Sequence, residues 1–335
     1  MKTTTRSAVI AAALCLPALA GAAGPSSGAP SSGAPSYPQA DKPIHFVVGF
    51  PAGSTIDNVS RVVVDDIRAR TGAQIIVENK PGALGVLGVD TVARAAPDGY
   101  TMMPSSSATS SSGPYLSKAF QRYDAIKDFT QVGRVVRFDV VIVTRAAGKH
   151  GDARQLVAAA KEKPNAVTSG YGSGTGQVVA AAFSRAAGAE VLGVPYKGQP
   201  AAVTDLLGGR IDFVAADLGA VLPQIRAQNL NAVALVSSKR STILPAVPTA
   251  QELGMGSLDL TGWIGVAGPA GLAPEAATWW SEQLTATMRE SAVQDRLRAM
   301  GMEPDLAVGE PLQQFVQAQY DAWGQQIRQA GIQPE

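Results

Sequence analysis

Three short segments place hydroxyls and glycines where a small anion could be held. Gly53-Ser54-Thr55-Ile56-Asp57 stands directly before an apolar-periodic stretch, the arrangement that opens a helix. Gly53 permits backbone conformations closed to other residues, Ser54 and Thr55 supply hydroxyls, and the unpaired N–H groups of a helix start carry partial positive charge. Together they suit a carboxylate. Asp57 also has a plainer reading as the helix N-cap, accepting from N–H groups near Ser60. The second segment, Ser105-Ser106-Ser107, offers hydroxyls with little bulk, and its continuation past Ala108 through Ser112 reads as a low-complexity surface loop. The third, Gly170 to Gly176, puts Gly172, Ser173, Gly174 and Thr175 between a strand and a helix, a second helix start of the same kind.

Other chemistries find less support. A dinucleotide loop fails on spacing, because Gly170 and Gly172 would need Gly at 175, which is Thr, and Gly172 and Gly174 would need Gly at 177, which is Gln. No Gly-x-x-x-x-Gly-Lys-Ser/Thr phosphate loop occurs, and no Gly-x-Ser-x-Gly elbow from residue 41 onward. The two histidines, His45 and His150, have no ligand spacing, and one cysteine makes neither a disulfide nor a thiolate metal site. No metal or cofactor is expected. Asp205, Asp212 and Asp217 punctuate the middle of the chain, but no spacing singles out an acid/base pair, so an enzyme is not expected either.

Strands and helices must position these loops. Ile44 to Phe50 reads as a buried strand, followed by a helix from Asn58 to about Arg70, a strand at 74–78, a helix at about 86–96 and a strand at 100–103. Close-spaced apolar runs at 132–138 and 140–144 suit a strand leading from one domain to another. Helix 152–163, strand 165–169, helix 177–187, strand 191–194, helix 200–207 and strands 211–215 and 231–236 repeat the alternation. Trp263 to Ala267 gives one more strand, and two helices finish the chain, the last with Val316, Tyr320, Trp323 and Ile327 on one packing face. This is an α/β fold with largely parallel sheets in two units, expected as lobe 1 (41–137 and 259–335) and lobe 2 (138–258), with a ligand cleft at the carboxyl ends of the strands.

The opening segment concerns address. Lys2 and Arg6, the apolar run Ala8 to Ala20 and the small-x-small Ala18-Leu19-Ala20 form an export signal at 1–23; the run is short of the roughly 20 apolar residues that span a bilayer. Residues 24–40, with a tandem Ser-Ser-Gly-Ala-Pro, form a flexible linker. Cleavage removes Cys15, and loss of Lys2 and Arg6 leaves 26 basic against 27 acidic groups. Neither that balance nor the 28 against 27 of the full 335 residues is a footprint for nucleic acid. A soluble monomer outside the cytoplasmic membrane, in the periplasm, is expected.

Several motifs in order carry a family likeness: Val47 to Gly53 with Asp57 and Arg61, Val77 to Ala83, Ala96 to Thr101, Val194 to Gly198, Asp205 to Gly209, Lys239-Arg240-Ser241 with Pro245 to Thr249, and Trp263 with Gly265 and Pro269-Ala270-Gly271. From about Lys42 onward the chain resembles the tripartite tricarboxylate transporter substrate-binding proteins, the Bug receptors. The resemblance implies a periplasmic binding protein of the type II kind that closes two lobes on a small carboxylate, held largely by loop backbone, hydroxyls and water. It implies as partners the large and small membrane subunits of such a transporter, or a signalling system. It also brings Tyr196 into the expected binding set. Where the family commonly reads Gly-Gly-Ser-Thr-Asp, this chain has Gly53-Ser54-Thr55-Ile56-Asp57, which favours a ligand with an apolar part near Ile56. An exported enzyme or a non-transport binding protein on the same scaffold is the alternative.

Overall fold

In chain order the elements are β1 (Ile44–Val48), α1 (Thr55–Thr71), β2 (Ile75–Asn79), α2 (Val86–Ala93), β3 (Thr101–Ser106), a π-helical turn at Ala108–Ser112, α3 (Gly113–Leu116), β4 (Phe129–Phe138) and β5 (Val140–Arg145). They continue with α4 (Ala153–Glu162), β6 (Thr168–Tyr171), α5 (Gly174–Ala187), β7 (Leu192–Pro195), α6 (Gln199–Leu207), β8 (Phe213–Asp217), α7 (Leu218–Arg226) and β9 (Leu230–Leu235). The remainder is β10 (Gly262–Pro269), α8 (Pro274–Thr287), α9 (Ser291–Ala299), β11 (Glu303–Ala307) and α10 (Glu310–Gln329). The computed structural model describes residues 37–82, 85–255 and 260–334. The expected export signal, with Cys15, and the linker up to Ser36 lie outside these residues.

The strands form two sheets, one of six strands in the order β11-β4-β10-β3-β1-β2 and one of five in the order β7-β6-β8-β5-β9. The alternation of strands and helices leads to an expectation of largely parallel sheets; the sheets are mixed. β1, β2 and β3 are parallel, as are β6, β7 and β8, but β10 runs antiparallel to β3 and β4, and β5 antiparallel to β8 and β9. β5 follows β4 after a single residue, Asp139, with no crossover helix between the two sheets.

Burial follows the pleat. In β5, Val140 and Ile142 join one core with Phe183, Phe213 and Trp323, while Val141 and Val143 join another with Leu206, Val214 and Leu222. Both faces of the sheet are thus covered, so the strand reads as a continuous apolar run. Around the six-stranded sheet, Val59, Val63 and Ile67 of α1 pack with Phe46, Met102, Ile264 and Trp280. Each such aliphatic side chain contributes about 1.5–3 kcal/mol on burial. α1 starts at Ser54, whose Oγ accepts from the Asp57 N–H, and stops at Gly72 in the left-handed region (φ 71°). Asp57 is therefore not the N-cap; the cap lies three residues earlier, and α1 begins at Thr55 rather than Asn58.

The C-terminal segment holds three helices and the edge strand β11, where two helices were expected. α10 touches both halves: Leu312 and Val316 pack on Trp263, whereas Trp323 and Ile327 belong to the core of the five-stranded sheet. Among the described residues, no helix is long and apolar enough to cross a membrane.

Candidate functional site: two facing strand edges

The pairing register brings the expected loops to one place. Ile264 of β10 pairs with Ser106 at the carboxyl end of β3, and Gly262 pairs with Phe138, so β4 ends at the edge from which the loops after β1 and β3 emerge. Val140, the first residue of β5, pairs with Asp217, the last residue of β8, so β5 starts at the edge from which the loops after β6, β7 and β8 emerge. Only Asp139 separates β4 from β5, so the two loop-bearing edges meet at this crossing. The loops also touch: a Cβ built on Gly174 would lie 2.1 Å from Leu116 Cδ1, and the turn at 108–112 lies against α5.

On the six-stranded side, Gly53 adopts a positive φ of 81°, which a side chain would oppose. Its N–H donates to Asp57 Oδ2 at 2.8 Å. Asp57 also accepts from Arg61 Nε and, at Oδ1, from Asn79 Nδ2 at 2.8 Å, while the same amide donates to the Phe50 carbonyl. Burial alone would raise this carboxyl, but the bonds from Arg61, Asn79 and the Gly53 N–H outweigh it and hold it below the usual carboxylate range. Asp57 is thus saturated and braces the loop from within. Ser54 and Thr55 remain half-buried, and the N–H groups of Thr55 and Ile56 have no intrahelical acceptor. Ile56 is 8% exposed and most of its side chain is packed in the core of the six-stranded sheet.

The serine run is the largest correction to the sequence reading. Residues 109–112 are buried in a π-helical turn against α10, not a surface loop. Ser106 Oγ and Thr109 Oγ1 lie 3.2 Å apart, and Ser107 Oγ accepts from the Trp263 N–H at 3.4 Å. Ser105 is fully buried.

On the five-stranded side, Ser173 caps α5 by accepting from the Gly176 N–H at 3.2 Å, and Gln199 Nε2 donates to the same Oγ at 3.2 Å. Gly172 lets two loops meet backbone to backbone, since a Cβ there would lie 2.1 Å from the Gly198 carbonyl carbon. Thr175 follows in the first turn of α5, half-buried. Tyr196 donates its hydroxyl to Asp205 Oδ2 at 2.9 Å, and Asp205 also pairs with Arg210. Burial, followed by the bond and charge of Asp205, raises the Tyr196 phenol.

Two further polar groups stand at this edge. Asp217 ends β8 and Gln199 opens α6. Asp217 occupies the N-cap position of α7 without capping it, and its carboxyl, hydrogen-bonded to Gln199, is pushed up to about 6 by burial. The available signal was position alone, a polar residue directly between a strand and a helix.

A cavity of about 370 Å³ lies beside the crossing itself, lined by Phe138, Asp139, Arg137, Arg240, Thr261 and Phe315 among others. None of the expected site residues lines it. Arg137 is paired with Asp305 and Arg240 with Glu252. Among the described residues no cluster of His, Cys, Asp or Glu could hold a metal ion.

Two helix starts, at α1 and α5, therefore present uncommitted first-turn N–H groups beside hydroxyls at the two strand edges that meet at the crossing, within a periplasmic-binding-protein fold. The match to known proteins is in keeping with that class. Residues 59–332 match the model of the tripartite tricarboxylate transporter family receptor, and the chain belongs to this family. It is 33% identical over 317 residues to protein BugT of Bordetella pertussis, covering 94% of each chain. The solved periplasmic binding protein BugD is 29% identical with a TM-score of 0.77, covering 88% of this chain and 99% of that one. The R. palustris protein Rpa4515, solved with adipate, is 25% identical with a TM-score of 0.81, covering 89% of this chain and all of that one.

Proposed function

We propose that the protein is an exported periplasmic receptor, a monomer without catalytic activity. It captures a small organic carboxylate by closing lobe 1 (41–137 and 259–335) on lobe 2 (138–258). The observation that carries this reading is the opposition of two helix starts, at Thr55 and Gly174, across a crossing one residue long. Backbone N–H groups there neutralise a carboxylate without a paired cation, which permits release as well as capture. Gly53, Ser54, Thr55, Ser105 to Ser107, Gly172 to Thr175 and Tyr196 form the proposed walls, with Asp57 as an internal brace and Ile56 anchoring the loop to its core. The adipate held by the R. palustris relative supports the ligand class. Delivery is to the membrane subunits of a tripartite tricarboxylate transporter or to a signalling system.

The test is a thermal-shift screen of the purified protein, stripped of carried-over ligand, against mono-, di- and tricarboxylates, amino acids and aromatic acids, with neutral analogues as controls. Ligands that bind only the folded state raise the melting temperature. A rise confined to acids supports the reading; a flat response from folded protein removes it.

A further inference from the structure

We propose that Asp217 and Gln199 form an acceptor-only subsite that selects a carboxylate ligand whose other end is a hydrogen-bond donor, a carboxamide or ammonium, over a plain dicarboxylate. This rests on the capture reading above and specifies its ligand class.

The argument begins with the bonds already made. Gln199 Nε2 has two hydrogens; one goes to Ser173 Oγ at 3.2 Å and the amide also bonds the Asp217 carboxylate. That uses both donors and leaves Gln199 Oε1 as an acceptor. Asp217 has no other polar partner among the described residues, and although it sits at the start of α7 its side chain makes no capping bond. The contrast with Asp57 is direct: one carboxylate is surrounded by three donating groups, the other by one. A half-buried carboxylate with a single amide partner is under-satisfied, and an incoming N–H group would meet that need.

Position adds the second half. Asp217 ends β8, and Gln199 and Ser173 follow β7 and β6, three neighbouring strands of one edge, so the two acceptors stand beside the α5 cap, across the crossing from the α1 start. With the ligand's carboxylate at the α1 start, we place its far end across the crossing, at Gln199 and Asp217 beside the α5 cap. A second carboxylate there would face an ionised acid at neutral pH and be repelled. A carboxamide of the same shape would donate to both acceptors. This separates the chain from its R. palustris relative, which holds a dicarboxylate.

The test uses isosteric pairs, succinate with succinamate, glutarate with glutaramate and adipate with adipamate, titrated calorimetrically at pH 7.5 into wild type, Asp217→Asn and Gln199→Met, with folding checked by circular dichroism. The expected result is at least tenfold tighter binding of the best amide than of its dicarboxylate partner in wild type. In Asp217→Asn, whose side chain both donates and accepts, that ratio should fall below about threefold, and in Gln199→Met it should fall partway. Tighter binding of the dicarboxylates to wild type, or an unchanged ratio in Asp217→Asn, overturns the subsite while leaving carboxylate capture standing. Failure of every acid in both series, and of the wider acid panel, overturns capture and subsite together.

Discussion

Arg61 Nε donates to both carboxylate oxygens of Asp57, at 3.1 and 3.0 Å, one turn along α1. The arginine is half in solvent, with 44% of its side chain exposed, while only 2% of the aspartate side chain is exposed. The pair therefore turns the acid inward to hold the loop, and the guanidinium passes on to Asn79 Oδ1 at 3.0 Å. First loop, first helix and second strand are tied by one carboxylate.

Asp57→Asn should destabilise the protein by about 2 kcal/mol at pH 7, since it loses charge-assisted bonds and leaves a donor facing donors. Because the folded-state acidity is strengthened, this contribution is full above the unfolded value near 4 and is lost as pH falls through the lower folded one. Urea melts of both proteins between pH 7 and 3 check this. The gap should narrow on acidification, and a gap that does not depend on pH would count against the bracing role.

Asp217 has the opposite sign. Its folded value, about 6, lies above the ordinary 3.8, so between these the folded state holds more protons and stability falls as pH rises, levelling above 6. Asp217→Asn removes the cost and should stabilise the protein by about 2 kcal/mol at pH 7, with no gain at pH 4. Calorimetric melting at the two pH values decides it.

Gly172→Ala should cost about 1–3 kcal/mol and weaken ligand binding at least tenfold, because its Cβ meets the Gly198 backbone, which cannot rotate away. Gly174→Ala meets only the tip of the Leu116 side chain and should be milder on both counts. Melting curves and titrations of the two variants side by side give the comparison; equal effects would refute it.

Ser173→Ala removes the α5 cap and an acceptor for Gln199, and should lower stability by about 1 kcal/mol. Thr55→Ala, at a residue that does not cap, should instead lower ligand affinity by about 1 kcal/mol while leaving the melting temperature of the free protein nearly unchanged. Unchanged affinity in Thr55→Ala would move the proposed cleft elsewhere.

Most strands and helices were legible because apolar periodicity is a local property. β5 announced itself by Val140 to Val143, and α1 by Val59, Val63 and Ile67. The misses share a cause in contacts between distant residues. β11 is a half-buried edge strand containing Pro304, recognisable only through its pairing with β4, and α7 carries Pro223 inside it. The serine run reads as surface by composition, yet α10 covers it: a Cβ on Gly324 would lie 2.3 Å from Tyr115 Cζ, just beyond that turn. Asp57 stood out because it follows Gly-Ser-Thr, but its saturation needed Asn79, more than twenty residues away. Asp217 was visible only as one of several acids, since its isolation depends on what is not placed around it.

The path of α10 also sets mechanical terms. Val316 is fixed on Trp263 and Trp323 in the opposite core, a stretch of about 10 Å at 1.5 Å per residue. In the proposed closure Asp139 is the pivot, and this helix is a strut mounted beside it. Any rotation of one sheet against the other has to slide or flex the strut against close-packed side chains. In that closure its stiffness would govern how far the molecule swings, and part of the affinity for a ligand would be decided by residues that never touch it.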